Sequence, residues 1–401
     1  MLFETYKQAF LSRNNDIWWG GETHYRSWDD STMYLYFFVV LVTFIISYKC
    51  NISLQALSKN SSVAIGSKKP IRWYYILIFL LLCILGLRGS WVGMDTIVYS
   101  QTFESATSIS EIFNDGSTAE PLYKLFQFLL RSVFSSRYVA IFIFSSLIIY
   151  FVFNAVNKYF SELCITIAVP AFVCLYYFQS FNLIRITLAA SFMLSSFHLL
   201  VEEQYKKYAI RILITSMMHY STMVMFFPLG LLILYKKNKG LAYAGAFFSV
   251  IAITLLTKYL GDYIALINRY SNYISENDAL GSIGLALFID YLPCLFVSFY
   301  ILKKRIQGQW ADMMICFTIA GFIIRLSAYF ISATGRLHFH FMSLTILLLP
   351  YWLNYFRQND RERYLIYYFV CIAWLLIRLH IYFIGYLSAD GIMPYNFFWN
   401  D

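Results

Sequence analysis

Arg88, Asp95 and Tyr99 stand within one short stretch, Arg88-Gly89-Ser90-Trp91-Val92-Gly93-Met94-Asp95-Thr96-Ile97-Val98-Tyr99, where a long apolar run gives way to polar sequence. An arginine at such a mouth can meet an anionic group, and an aspartate can accept a proton or a hydrogen bond from a sugar hydroxyl. Arg88 also reads as a helix-end side chain snorkelling to an interface, and Asp95 as a turn residue after Gly93. A second set lies between Gln179 and Ala189, where Asn182 can cap the helix that follows and Arg185 falls in its first turn. The helix dipole disfavours a cation there, which points to an anion to be bound, with a structural ion pair as the alternative.

His219 sits deep in apolar sequence, in Met217-Met218-His219-Tyr220-Ser221. It is either an interhelical hydrogen-bonding residue or, at the tip of a hairpin, a group that orients a diphosphate or shuttles a proton. Late in the chain Arg325, Arg336, His338 and His340 form a cationic set, with Arg378 and His380 in the final apolar run. Apolar sequence continues on both sides of Arg325 and Arg378, so neither is explained as a helix-end anchor, and an intramembrane arginine is a functional candidate by default. His338 and His340 are two apart, which on a helix points them to different faces and argues against a joint metal site. No HExxH, Walker, GxSxG or paired-aspartate metal motif stands in a suitable context, and neither a metal nor a cofactor is expected.

The elements that must position these residues are membrane helices. Of 401 residues, 60% are hydrophobic and only 13% charged, a balance foreign to a single water-soluble core. The expectation is an all-α polytopic membrane protein with about 10–12 transmembrane helices, forming one integral membrane domain over residues 1–401. Candidate spans are 33–48, 71–87, 138–157, 163–179, 183–201, 240–257, 283–302, 311–332, 338–356 and 364–387. The run 208–235, flanked by lysines on both sides, is either a hairpin of two short helices or one long tilted helix. Residues 1–32 read as a polar amphipathic segment, and the run after Met33 as the targeting signal.

The net charge of +9 could suggest nucleic acid, but the Lys and Arg residues lie mainly in short loops, as the positive-inside rule requires. The segment from Lys49 to Arg72 holds basic residues and no acid, and is cytoplasmic on that rule. The segment 88–137, with Asp95, Glu104, Glu111, Asp115 and Glu120, then lies outside and carries an amphipathic helix from Pro121 to Arg131. Alternation places Asn182–Arg185, the second outer loop 258–282, Gly335-Arg336 and both termini on the same outer side, provided 208–235 is a hairpin. Loops as long as 88–137 and 258–282 are usually binding surfaces or lids. The seven cysteines are scattered without a CxxC pair, so neither zinc nor a disulfide framework is indicated.

With these residues assembled, the chain resembles the EpsG family of bacterial polysaccharide polymerases, which includes many Wzy-type O-antigen and capsule polymerases. The resemblance runs from about residue 70 to the end. It is carried by Arg88 with Gly93-Met94-Asp95-Thr96 and Tyr99, Glu120-Pro121, Asn182-Leu183-Ile184-Arg185 with Leu188-Ala189, His219-Tyr220-Ser221, Gly335-Arg336 with the aromatic run to Phe341, and Pro394-Tyr395. It departs at Ile186, where the family more often has glutamine.

The resemblance implies a GT-C-like, metal-independent glycosyltransferase of the bacterial inner membrane, with its active site facing the periplasm. The growing chain on undecaprenyl diphosphate would pass to the non-reducing sugar of a new lipid-linked repeat unit. Its implied partners are those lipid-linked donor and acceptor glycans, membrane lipid and a chain-length regulator protein, and no nucleic acid. On this view Arg185 and Arg336, with Arg88 or Arg325, neutralise the diphosphate. Asp95 and Glu120 are the candidate bases, with His219 as the alternative; Tyr99, Asn182 and His338 complete the substrate contacts. The competing readings are an O-antigen ligase, a transporter or flippase for a lipid-linked glycan, and a structural membrane component.

Overall fold

The computed structural model describes residues 2–13, 17–19, 22–24, 26–59, 72–110, 120–265, 286–327 and 337–401. A short helix α1 (Leu2–Leu11) and a small antiparallel hairpin of β1 (Ile17–Trp19) and β2 (Glu22–His24) precede the long helix α2 (Asp30–Lys59). Next come α3 (Arg72–Gly86), α4 (Met94–Glu104), α5 (Pro121–Val133) and α6 (Arg137–Lys158). Helix α7 (Ile165–Phe172) runs into a π-helical turn at Val173–Tyr177 and a 3-10 turn at Gln179–Phe181 before α8 (Ile184–Ser195) and α9 (Phe197–Val201). The remainder is α10 (Tyr205–Ser216), α11 (Phe226–Lys237), α12 (Lys239–Ala265), α13 (Ala286–Lys304), α14 (Gln309–Ser327), α15 (His338–Asn359) and α16 (Arg361–Tyr386).

This is an all-α polytopic membrane protein, with the small hairpin as an addition to the amphipathic N-terminal segment expected from sequence. Among the described residues five helices are long and apolar enough to cross a membrane: Asp30–Ile52, Arg137–Lys158, Ile184–Val201, Gln309–Ser327 and Arg361–Tyr386. Arg72–Gly86, Ile165–Tyr177 and Lys239–Ala252 are shorter apolar helices. Phe79, Tyr150, Phe247, Phe299 and Phe369, on five different helices, are between 61% and 67% exposed, an outer surface suited to hydrocarbon and interface rather than water. The centre is closely packed around buried aromatic residues such as Tyr36, Tyr177, Phe181 and Trp352.

The run 208–235 is a hairpin. Helices α10 and α11 are separated by a 3-10 turn at Tyr220–Met225, and Lys236, at the far end of α11, pairs with Glu203, just before α10. Their open ends therefore meet, and His219 stands at the opposite end, the tip. The start of α5 is tied to this tip through the Leu122 amide, which donates to the Met217 carbonyl at 3.0 Å.

Both chain ends reach the turn between α3 and α4. In α1, Tyr6 is buried against α16, its hydroxyl hydrogen-bonded to His380 Nδ1 at 2.8 Å, and further along Arg26 Nη2 donates to the Trp91 carbonyl at 2.9 Å. The segment after α16 runs beside the turn like a strand: Gly89 N donates to Asn396 O (2.8 Å), Gly93 N to Gly391 O (2.9 Å), Met94 N to Asp390 O (3.0 Å) and Phe398 N to Leu87 O (3.0 Å).

Candidate active site

The turn that opens α4 needs glycine at position 93. Its φ of +105° lies in the region L side chains avoid, and a Cβ there would stand 2.2 Å from the Phe181 carbonyl oxygen. That carbonyl accepts from Thr96 Oγ1 at 2.7 Å and from Arg88 Nη2 at 3.2 Å, so the turn is fastened to the Gln179–Phe181 segment. The π-helical turn at Val173–Tyr177 ends the straight course of the preceding helix and brings that segment under the turn, a deviation common near functional sites. Asn182 follows, its amide oxygen accepting from Asp95 N at 2.7 Å and its amide nitrogen donating to Asp390 Oδ1 at 3.0 Å. Tyr382 donates to the other oxygen of Asp390 at 2.8 Å. Asp95 is thereby fixed at the start of α4, where the dipole favours its charge, and Tyr99, one turn on, approaches Asp95 Oδ2 at 3.3 Å.

Arg185 occupies the first turn of α8, against the dipole. Its guanidinium donates to Glu120 Oε2 at 2.8 Å and lies 5.3 Å from the centres of both the Tyr99 and Tyr123 rings, a carboxylate and two aromatic rings that together offset the unfavourable position. Glu120, the residue before α5, has no exposed surface, while Arg185 and His219 keep 22% and 21% of their side-chain surface. His219 Nδ1 lies 3.0 Å from Glu120 Oε1, and the Tyr220 amide donates to the same oxygen at 3.2 Å. Burial pushes the Glu120 carboxyl up, but the hydrogen bond from His219 and the Arg185 charge outweigh it and hold the group at about 2. An ionised carboxylate only accepts, so His219 carries its proton on Nδ1 toward Glu120 and presents Nε2 elsewhere. Two residues on, Ser221 Oγ is bonded to the buried His340 Nε2 at 2.7 Å.

The structure thus brings Asp95, Tyr99, Asn182, Arg185, Glu120 and His219 into one connected network drawn from four distant parts of the chain. Three candidates have surroundings that sequence does not show. Glu120, a candidate base, is fully buried with one oxygen engaged by Arg185 and the other by His219 and the Tyr220 amide. Arg88 was expected at a diphosphate; it has no exposed surface and donates to the Val92, Leu85 and Phe181 carbonyls and to Ser145 Oγ. It braces the turn from behind. Arg325 stands in a separate group, with Nε 2.7 Å from Asp290 Oδ2, and Arg378 pairs with the other oxygen of the same carboxylate. His338 opens α15, half-buried. Arg336 lies outside the described residues, as does most of the loop 258–282.

Asp290 and Asp390 escaped the sequence reading. Asp290 is the sole acid in the apolar run 283–302, and the rule that flagged Arg325 and Arg378 applies to it equally. Asp390 gives no such signal, because it follows the last apolar run in a short polar stretch.

Residues 71–397 match the model of the EpsG family. The chain belongs to the EpsG family. No curated protein and no solved structure matches it. Membership in the EpsG family gives it a polysaccharide-polymerase type of function in polysaccharide biosynthesis, acting on lipid-linked glycans in a membrane. The matched region contains every residue of the network described above.

Proposed function

We propose that this EpsG-family protein joins undecaprenyl-diphosphate-linked oligosaccharide repeat units into O-antigen, capsular or exopolysaccharide chains on the periplasmic face of the inner membrane. The observation that carries this reading is the placement of Arg185 and His219 on opposite oxygens of one buried carboxylate, Glu120. In the proposed reaction a hydroxyl of the acceptor sugar attacks the anomeric carbon of the donor chain. The bond between that carbon and the diphosphate oxygen breaks, the diphosphate leaves with the electron pair, and the hydroxyl proton passes to a base on the enzyme.

Arg185 is suited to the leaving diphosphate. Glu120 accepts from one nitrogen of its guanidinium, and 22% of the side chain stays exposed, which leaves donor capacity for an anion. Asp95 and Glu120 carry one negative charge more than Arg185 offsets, so the leaving group needs a further cation. Arg336, two residues before His338 in the chain, is the residue proposed for it. His219 Nε2 is suited to the proton, because Glu120 fixes its tautomer and stabilises the imidazolium that forms, as the acidic member of a catalytic triad does. Asp95, half-buried beside Tyr99, then accepts a hydrogen bond from a donor or acceptor sugar. The apparatus is one of positioned protein charges in the manner of GT-C enzymes.

The test is the surface glycan of a strain lacking the gene, with complementation by wild type, Arg185→Ala or His219→Gln. Loss of a polymerase leaves core lipid bearing a single repeat unit, restored to long chains by wild type alone. Accumulation of lipid-linked polymer would instead make the protein a ligase, and absence of any repeat unit outside would make it a flippase.

A further inference from the structure

An apolar groove of about 260 Å³ begins beside the charged network and runs between α5, α6, α8 and α10. Three of the four walls lead back in sequence to one of the charged residues. Leu122 follows Glu120 by two positions, Leu188 and Ala189 follow Arg185 by three and four and share its face of α8, and Met218 precedes His219. Phe151 on α6 closes the back. The one hydroxyl on the lining, that of Thr215, is already donated to the Arg211 carbonyl at 2.6 Å, so the groove offers no polar group to a ligand. Its outer rim is open to the side of the bundle, where Leu129 is 51% and Ile214 43% exposed.

A hydrocarbon channel whose lining residues Leu188, Ala189 and Met218 lie within one helical turn of an arginine and a histidine is complementary to a lipid with an anionic head and a single chain. We propose that the groove holds the first isoprene units of the donor, the lipid whose diphosphate lies on Arg185. This rests on the polymerase reading above and adds to it which lipid segment the protein grips and how much of it. A dry cavity of about 150 Å³ accommodates six ring carbons, so this groove takes roughly ten carbons on the same scale, about two isoprene units. The rest of the chain lies in the bilayer. A membrane phospholipid, with two acyl chains on one head group, fits this single channel poorly.

The experiment uses the full-length protein in detergent micelles and synthetic donors carrying the same diphosphate oligosaccharide on chains of increasing isoprene number. With wild type, kcat/KM rises about tenfold or more with each unit up to about two, since each buries several methylene-sized groups, and then levels off. Ala189→Phe, which fills the groove, lowers kcat/KM of the longer donors to that of the one-isoprene donor, and Phe79→Trp on the lipid-facing side of α3 leaves the chain-length profile as in wild type. A second measurement does not depend on the variant. A donor with a diazirine on its second isoprene unit labels wild-type protein within residues 188–192 or 214–218, and excess phospholipid does not compete. An Ala189→Phe profile as steep as that of wild type, gains that continue well beyond about four units, or equal labelling by a diazirine phospholipid each overturns the groove while leaving the polymerase intact. Absence of transfer from every donor by wild type defeats the polymerase reading and the groove with it.

Discussion

Arg185 and Glu120 meet at 2.8 Å across 65 residues of chain, the arginine partly open and the carboxylate fully buried. The pair explains how a cation survives in the first turn of α8, because the nearby negative charge outweighs the opposing dipole at that end. It also couples α5 and α8 through a bond that salt screens poorly. Glu120 then extends the connection to His219, so the distance between the proposed leaving-group site and the proposed base is set by one carboxyl group.

Arg185→Lys should lower turnover of the purified protein by about 10²–10³, close to the effect of losing a preorganised charge at a transition state. A lysine keeps the charge but not the planar fork that meets Glu120 and faces the Tyr99 and Tyr123 rings. Turnover within a few-fold of wild type would remove the guanidinium geometry from the mechanism.

His219→Gln should lower kcat by about 10²–10⁴, the range of general-base catalysis, with little change in KM. Initial-rate measurements over donor concentration separate the two parameters. A raised KM with unchanged kcat would mean that His219 only binds.

Glu120→Gln should change the acid stability of the protein in a defined direction. The folded carboxyl sits at about 2, below its ordinary 4.5, so its contribution is fully present above about 4.5 and fades as pH falls toward 2. That contribution is on the order of 3 kcal/mol. Thermal unfolding in detergent should therefore show wild type losing its advantage over Glu120→Gln across this acid window, with the gap constant at higher pH.

Asp290→Ala removes the carboxylate that Arg325 and Arg378 share and leaves two cations inside the bundle. Breaking a buried ion pair from one side costs about 3–5 kcal/mol, which detergent unfolding should register. If the triad is a brace, the protein that remains folded should polymerise at close to the wild-type rate per molecule. A fall in rate without a fall in stability would return Arg325 to the substrate.

Gly93→Ala tests the turn itself. With φ at +105° and the Phe181 carbonyl in the way, alanine should cost on the order of 1–3 kcal/mol. Because the same turn presents Asp95, turnover should fall further than the folded fraction does.

Much of the network was legible because the loop charges sort the chain by side. Asp95, Arg185 and His219 fall together once 49–72 is read as cytoplasmic and 208–235 doubles back, and the Lys236–Glu203 pair shows the doubling. The fate of Arg88 was not legible, since most of its partners are main-chain carbonyls of Leu85, Val92 and Phe181 and a carbonyl has no sequence signature. Glu120 looked like a base because its type and side were right. Its burial was not legible, because burial depends on how α5 docks on the hairpin tip, which local pattern does not encode. Arg325 was drawn to the diphosphate because its counter-ion, Asp290, went unnoticed in an apolar run.

The strand-like tail after α16 gives the site an order of assembly. The turn carrying Asp95 is made early in synthesis, yet the acceptors of its Gly89, Gly93 and Met94 amides are the carbonyls of Asn396, Gly391 and Asp390. A chain arrested before α16 has inserted holds Arg185 and His219 but lacks the rail that sets Asp95. Partly made molecules therefore carry Asp95 on a turn that lacks these three bonds, and the turn is completed only with the closing of the whole bundle.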